Sequence, residues 1–247
     1  ITLGDTVHPG SLILDVGQGE MAIEPAPPGG ELSVHVEFDD EVHDLLESYE
    51  VAPDSSWTYE LRLYPTMPGL QALFRQIMGG EANAAIKVRI PPDLPIDLEI
   101  RTKQGGFEAD LSGLWITSAD VVVTQGGFAL EIKEPLREPM ERMRVHSRMG
   151  GFAAEGIGNA SPRLLIVDTS MGGADVGLEG AWRNDCDVSL RSSMGGMGVR
   201  LPKGVRTTGL EELHPDADAE LRRTDVETPL PLLNFDVEFK MGEIEVY

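Results

Sequence analysis

The sequence predicts an all-β chain: a β-solenoid, stacked from strand–Gly-Gly–strand units of about 22 residues, with short helical decoration in its N-terminal part. Three observations carry this prediction. A glycine pair followed by an apolar residue recurs five times, at Gln104-Gly-Gly-Phe107, Gln125-Gly-Gly-Phe128, Met149-Gly-Gly-Phe152, Met171-Gly-Gly-Ala174 and Met194-Gly-Gly-Met197. The second glycines fall at 106, 127, 151, 173 and 196, so successive differences are 21, 24, 22 and 23. Residues on both sides of each pair alternate with period two, as a strand with one buried face requires.

The first strand of each unit places Leu98, Ile100, Thr102 and Gln104 on one face, as it does Leu165, Val167, Thr169 and Met171, and Val188, Leu190, Ser192 and Met194. After the glycines, Phe107, Ala109 and Leu111 share a face, as do Phe128, Leu130 and Ile132, and Met197, Val199 and Leu201. With both faces turned inward and neighbouring strands about 4.8 Å apart, equivalent positions form ladders. One ladder reads Phe107, Phe128, Phe152, Ala174, Met197; the other reads Gln104, Gln125, Met149, Met171, Met194. The flexible Met171 and Met194 are expected to fill the interior where Ala174 replaces phenylalanine. The glycines supply the reversal, which residues bearing a β-carbon tolerate poorly.

Before residue 90 the pattern is less regular. Leu14 to Ile23 reads as another turn of the repeat, and Leu32 to Phe38 and Trp57 to Leu63 alternate like strands. Two helices are expected. One spans 40–49, with Val42, Leu45, Leu46 and Tyr49 on one side; the other spans 69–78, after Pro68, with Leu70, Leu73, Phe74, Ile77 and Met78 at helical spacing and Gly79 as its stop. Either the latter or the irregular segment 205–230 is expected to cover an open end of the stack. Regular repeats then occupy 91–204. From Gly196 to Gly242 the gap is 46, two periods of 23, which predicts one degenerate unit within 205–230 before a final strand pair. The whole of 1–247 is read as one domain.

With 42 acidic against 20 basic residues the formal charge is −22, which disfavours nucleic acid and anionic membrane surfaces as general partners. The single cysteine, Cys186, rules out an intramolecular disulfide and a cysteine-based zinc site, and is expected to be a small side chain in or beside a strand. Apolar runs such as Leu164 to Val167 fall far short of the roughly 18 residues that span a bilayer, so no transmembrane segment is expected. The chain opens at Ile1 rather than methionine, which suggests either processing or a trimmed start and leaves open whether a signal peptide or an anchor preceded it.

Motifs for chemistry are missing or incomplete. Leu201-Pro-Lys-Gly204 has the wrong order for a phosphate-binding loop, and His8, His35, His43, His146 and His214 are too scattered for a zinc protease helix. Asp175, in Met171-Gly-Gly-Ala-Asp-Val-Gly177, lacks the counterparts after other glycine pairs that a calcium-binding repeat needs. The acidic run Asp216 to Glu220 reads as a solvated loop. No catalytic residue, cofactor or metal is therefore assigned.

The most distinctive surface is Glu141-Arg-Met-Arg-Val-His-Ser-Arg148. If Met143, Val145, Ser147 and Met149 point inward, then Arg142, Arg144, His146 and Arg148 point outward together. That stripe reads either as a face for an anionic partner or as charge balance against Asp97, Glu99 and Asp168 on neighbouring turns.

The chain resembles the bacterial toast-rack domains, related to adhesin-like β-solenoids and to the C-terminal domain of Lia-type cell-wall stress regulators. The residues that carry the resemblance are Ile86-Lys-Val-Arg-Ile-Pro-Pro-Asp-Leu-Pro-Ile-Asp-Leu98, Leu111-Ser-Gly-Leu114, Gly156-Ile-Gly-Asn-Ala160 and Val199-Arg-Leu-Pro-Lys-Gly204. That family usually has Gly-x-Gly-Asp or Gly-x-Gly-Glu at the turn; here the form is kept only at Gly17-Gln-Gly-Glu20. The resemblance implies a secreted, periplasmic or envelope-associated protein and supplies no site residues. The expected function is a non-enzymatic structural or interaction module, adhesin-like, for an unknown protein or envelope polymer. The alternatives are a polysaccharide-active enzyme using acidic residues and a partner-binding regulatory domain in envelope stress sensing.

Overall fold

The structure, a computed structural model, describes residues 9–66, 84–210 and 230–247. Among these residues all the regular structure is strand apart from one four-residue helix. The elements are β1 (Gly10–Pro25), β2 (Ser33–Glu37), β3 (His43–Val51), β4 (Trp57–Pro65), β5 (Ala85–Ile90), β6 (Ile96–Asp110), β7 (Ile116–Gln125), β8 (Phe128–Glu131), β9 (Arg142–Glu155), α1 (Ile157–Ala160), β10 (Leu164–Gly177), β11 (Cys186–Arg200), β12 (Arg206–Thr208) and β13 (Leu232–Val246).

Parallel pairing builds a stack of rungs, each a long strand bent at its glycines. β6 lies beside β1, with Leu12 opposite Leu98 and Gly19 opposite Gly105. On its other side it meets β7 through the first half of the rung and β8 through the second, since Gly126-Gly127 separates those two strands. β7 and β8 in turn both pair with β9, so β6, β7, β9 and β8 close a ring of parallel pairing. β10 and β11 follow in register, with Gly150, Gly172 and Gly195 level with one another. After each second strand the chain takes an irregular third side, whose Leu111, Leu114, Ile132, Leu136, Ile157, Leu178 and Trp182 are buried.

The phenylalanine ladder forms as expected. Phe107, Phe128 and Phe152 are buried, and adjacent rings stack at 4.7 Å with planes tilted by 7° and 4°. Ala174, Met197 and Ile244 continue the buried column.

The glutamine–methionine column does not face inward. Gln104 and Gln125 are exposed, and so are Met149, Met171 and Met194. The inward face stops two residues earlier, at Thr102, Ser147, Thr169 and Ser192, all buried. Val16 and Val123 are buried at the same level. In β9 the last inward residue is Ser147 and the next is Phe152, so Arg148 to Gly151 form the bend and Met149 sits on its outside.

The predicted helix over 40–49 is a turn followed by a strand. Asp39 to Val42 make one turn, and β3 then pairs antiparallel with β4, Tyr49 opposite Tyr59. A ten-residue amphipathic segment is marginal as a helix. The outer edge of β4 has a row of backbone groups that β3 satisfies. The expected helix over 69–78 lies outside the described residues.

Stacking order departs from chain order at both ends. β1 is flanked by β6 on one side and by β4 and β5 on the other, so the first rung of the chain is not the terminal one. At the far end β13 lies directly against β11, with Gly242 opposite Gly195 and Ile244 opposite Met197. No degenerate rung separates them. β12, from the segment expected to be that rung, instead pairs with the outer edge of β13 through Arg206 to Thr208.

Cys186 begins β11 and is buried, and burial pushes its thiol up to about 12. The unfolded thiol titrates near 8.5. Its contribution to stability is therefore complete below about pH 8.5 and is lost as pH rises toward the folded value. At pH 8 the native chain is expected to resist alkylation by iodoacetamide, with urea exposing a fast-reacting thiol; equal rates in both states would contradict the burial.

Candidate functional site

The outer face of the first strand layer carries the basic stripe. Inward Met143, Val145 and Ser147 fix the pleat of β9, and Arg142, Arg144, His146 and Arg148 project to the opposite side. Arg142, Arg144 and Arg148 are exposed and His146 is half-buried, Arg148 standing at the start of the bend.

Their partners divide the stripe in two. Arg144 Nη1 lies 3.5 Å from Asp120 Oδ2 on the preceding rung, and His146 Nδ1 lies 3.4 Å from Asp168 Oδ2 on the following one. Asp97 and Glu99, the other expected balancing acids, are engaged elsewhere. Asp97 Oδ1 accepts from Thr117 Oγ1 at 2.6 Å and Ser118 Oγ at 2.7 Å, while Glu99 pairs with Arg101.

Arg142 and Arg148, at the two ends, make no ion pair among the described residues. Register explains why. Arg142 lies level with Ser118 and Leu164, and Arg148 falls between the levels of Thr124 and Ser170, so no carboxylate stands beside either. Val122, Leu164 and Ile166 are partly exposed on the same face, level with His146, Arg142 and Arg144. The result is a patch of guanidinium groups set among aliphatic side chains on an acidic molecule. Such a patch can form charge-assisted, bidentate hydrogen bonds with carboxylate or phosphate while burying apolar surface around them.

The second strand layer has a different outer face. Gly106, Gly127, Gly151, Gly173 and Gly196 run up one column, with Ala129 and Ala153 beside it. Near the N-terminal end, a groove of about 730 Å³ opens over this floor, bordered by Glu20, His35, Glu37, Lys87 and Glu108. Lys87 pairs with Glu24 at 3.0 Å, and hydrogen bonds from Arg89 and then Lys87 hold the Glu24 carboxyl below the usual carboxylate range. Farther along, Asp175, the residue weighed for calcium, lies 3.5 Å from Arg200 Nη2, which also reaches Glu155 at 3.1 Å and Glu179 at 3.8 Å. A guanidinium thus occupies the centre of that acidic group.

No protein-family model matches the chain, and no curated protein sequence does so. A crystal structure from Clostridium sporogenes, described provisionally as that of a cell adhesion protein, aligns over 96% of this chain and 91% of its own, at 14% identity and a TM-score of 0.39. At that level of likeness neither role nor partner carries over.

Proposed function

We propose that this chain is a non-enzymatic, extracytoplasmic interaction module, a β-solenoid that presents its lateral faces to an acidic protein or an anionic envelope polymer. The observation that carries this reading is the placement of Arg142 and Arg148 among neutral neighbours on the rungs either side. Charge balance alone would set acids level with them, as it does for Arg144 and His146. Each extra rung adds surface without altering the ones before, and stacking fixes the spacing of side chains along the face, which suits an extended partner. Among the described residues no helix is long and apolar enough to cross a membrane.

The test is retention of the full chain on immobilised polygalacturonate and polyphosphate, polyanions of carboxylate and phosphate chemistry. The Arg142→Ser/Arg144→Ser/Arg148→Ser variant is expected to lose at least tenfold in affinity, and wild-type retention is expected to fall as salt screens the arginines. Equal retention of variant and wild type, or no retention of either, would overturn the reading.

A further inference from the structure

The column on the outside of the glycine corner changes chemistry half-way along. Gln18, Gln104 and Gln125 occupy its first half in register, with Gln104 Nε2 donating to Gln125 Oε1 at 3.4 Å. Met149, Met171, Met194 and Met241 occupy the second half, each directly level with the next. Their exposures are 39, 41, 41 and 69%. The other four methionines of the described residues, Met21, Met140, Met143 and Met197, are all buried. Every exposed thioether described thus lies on this one line.

Packing does not account for the column. The inward positions before the bend are taken by Ser147, Thr169 and Ser192, and those after it by Phe152, Ala174 and Met197, all buried. Each methionine is followed by a glycine, so no side chain crowds it on that side. Four solvent-facing apolar groups are a cost that a polar residue, such as the glutamines of the preceding rungs, would avoid.

We propose that the Met149–Met171–Met194–Met241 column binds soft monovalent metal ions, Cu(I) or Ag(I), each held between the thioethers of two neighbouring rungs. Thioether sulfur is a neutral, soft donor that favours Cu(I) and is a poor ligand for calcium or magnesium. A d¹⁰ monovalent ion accepts two sulfurs in a line. With metal–sulfur bonds of about 2.3 Å, as for zinc and thiolate, the sulfurs stand about 4.6 Å apart. The rungs repeat at about 4.8 Å. Adjacent methionines therefore meet the ion without bending the backbone, and four sulfurs hold up to two ions. Because a thioether carries no proton to lose, binding does not weaken as pH falls through the range where histidine and cysteine sites fail. The chain's net charge of −22 raises the local concentration of any cation.

The experiment titrates the full chain, anaerobically, with Ag(I) while following the ¹³C-methyl resonances of its methionines, and repeats it with Cu(I) against a chromophoric Cu(I) chelator. The four column methyls are expected to shift and to saturate at no more than two equivalents, with buried Met197 unmoved as an internal control. The Met149→Leu/Met171→Leu/Met194→Leu/Met241→Leu variant keeps shape and loses sulfur, and is expected to compete at least tenfold less well for Cu(I). Should the fourfold variant not fold, Met171→Leu/Met194→Leu breaks every adjacent thioether pair and is expected to show the same loss. Absence of shifts, shifts spread equally over the buried methionines, or undiminished competition by the leucine variants would overturn the proposal.

Discussion

Replacing Gly172 with alanine is expected to destabilise the chain by at least about 3 kcal/mol, whereas the same change at Gly173, the very next residue, is expected to move stability by less than about 1 kcal/mol. Gly172 has φ +136°, a region closed to residues with a β-carbon, and a Cβ there would stand 1.7 Å from the carbonyl oxygen of Gly150 on the preceding rung. Strain of this kind costs about 1–3 kcal/mol by itself. Relieving the collision means pulling the rungs apart and giving up ladder hydrogen bonds, each worth about 1 kcal/mol net. A Cβ on Gly173 meets nothing within 4 Å. The first glycine of each pair repeats the constraint: Gly105, Gly126, Gly150 and Gly195 all have positive φ and a neighbouring glycine carbonyl within 2.0 Å of where Cβ would be. The second glycines lack the positive φ, and the space at them opens along the stack, from 2.6 Å to a carbonyl oxygen at Gly106 and 3.1 Å at Gly127 to nothing within 4 Å at Gly173 and Gly196; in register with them β1 carries Glu20 and β13 carries Glu243. Urea midpoints for the two alanine variants decide the matter, and similar losses at both would show that the repeat of two glycines, rather than the collision at the first, sets the bend.

That contrast also shows what was legible in the sequence and what was not. The period of the glycine pairs is visible because one physical need, close approach at a reversal, recurs once per rung. The phenylalanine ladder and the outward aim of Arg142, Arg144 and His146 follow from simple alternation within straight strand, whereas Arg148 already stands at the start of the bend. The column of Met149, Met171 and Met194 was misplaced because alternation was carried into the bend, where four residues pass between inward positions. A signal was present: the inward set before the glycines is odd-numbered in β9 and the set after it is even-numbered, which requires a phase break between Ser147 and Phe152. The strand at 43–51 was hidden because Val42, Leu45, Leu46 and Tyr49 satisfy a helical spacing. What decides the outcome is the open edge of β4, a property of the assembled sheet. The positions of β1 and β13 were beyond any count of periods, since counting assumes that chain order and stacking order agree. At each end another piece of chain lies beyond them instead, β4 with β3 and β5 with β2 outside β1, and β12 outside β13.

Phe128→Ala is expected to cost about 3–5 kcal/mol, the range for deleting a buried aromatic side chain. Its ring lies between two others, and each stacked pair adds about 0.5–1.5 kcal/mol beyond area burial. Phe152→Ala, which has a phenylalanine on one side and Ala174 on the other, is expected to cost less by about one such contact. The larger consequence is for cooperativity. Each rung touches only its neighbours, so the coupling between the two halves of the stack passes through the middle rungs. Removing Phe128 weakens that link where β8 contributes only four residues of strand, Phe128 to Glu131. Urea unfolding of Phe128→Ala is therefore expected to broaden or divide, with Trp57 and Trp182, one in β4 and the other between β10 and β11, reporting different midpoints. The Phe152→Ala transition, where β9 runs unbroken through the bend, is expected to stay single. A Phe128→Ala transition that shifts as one unit, with both tryptophans coincident, would mean that the irregular third side rather than the aromatic column ties the rungs together.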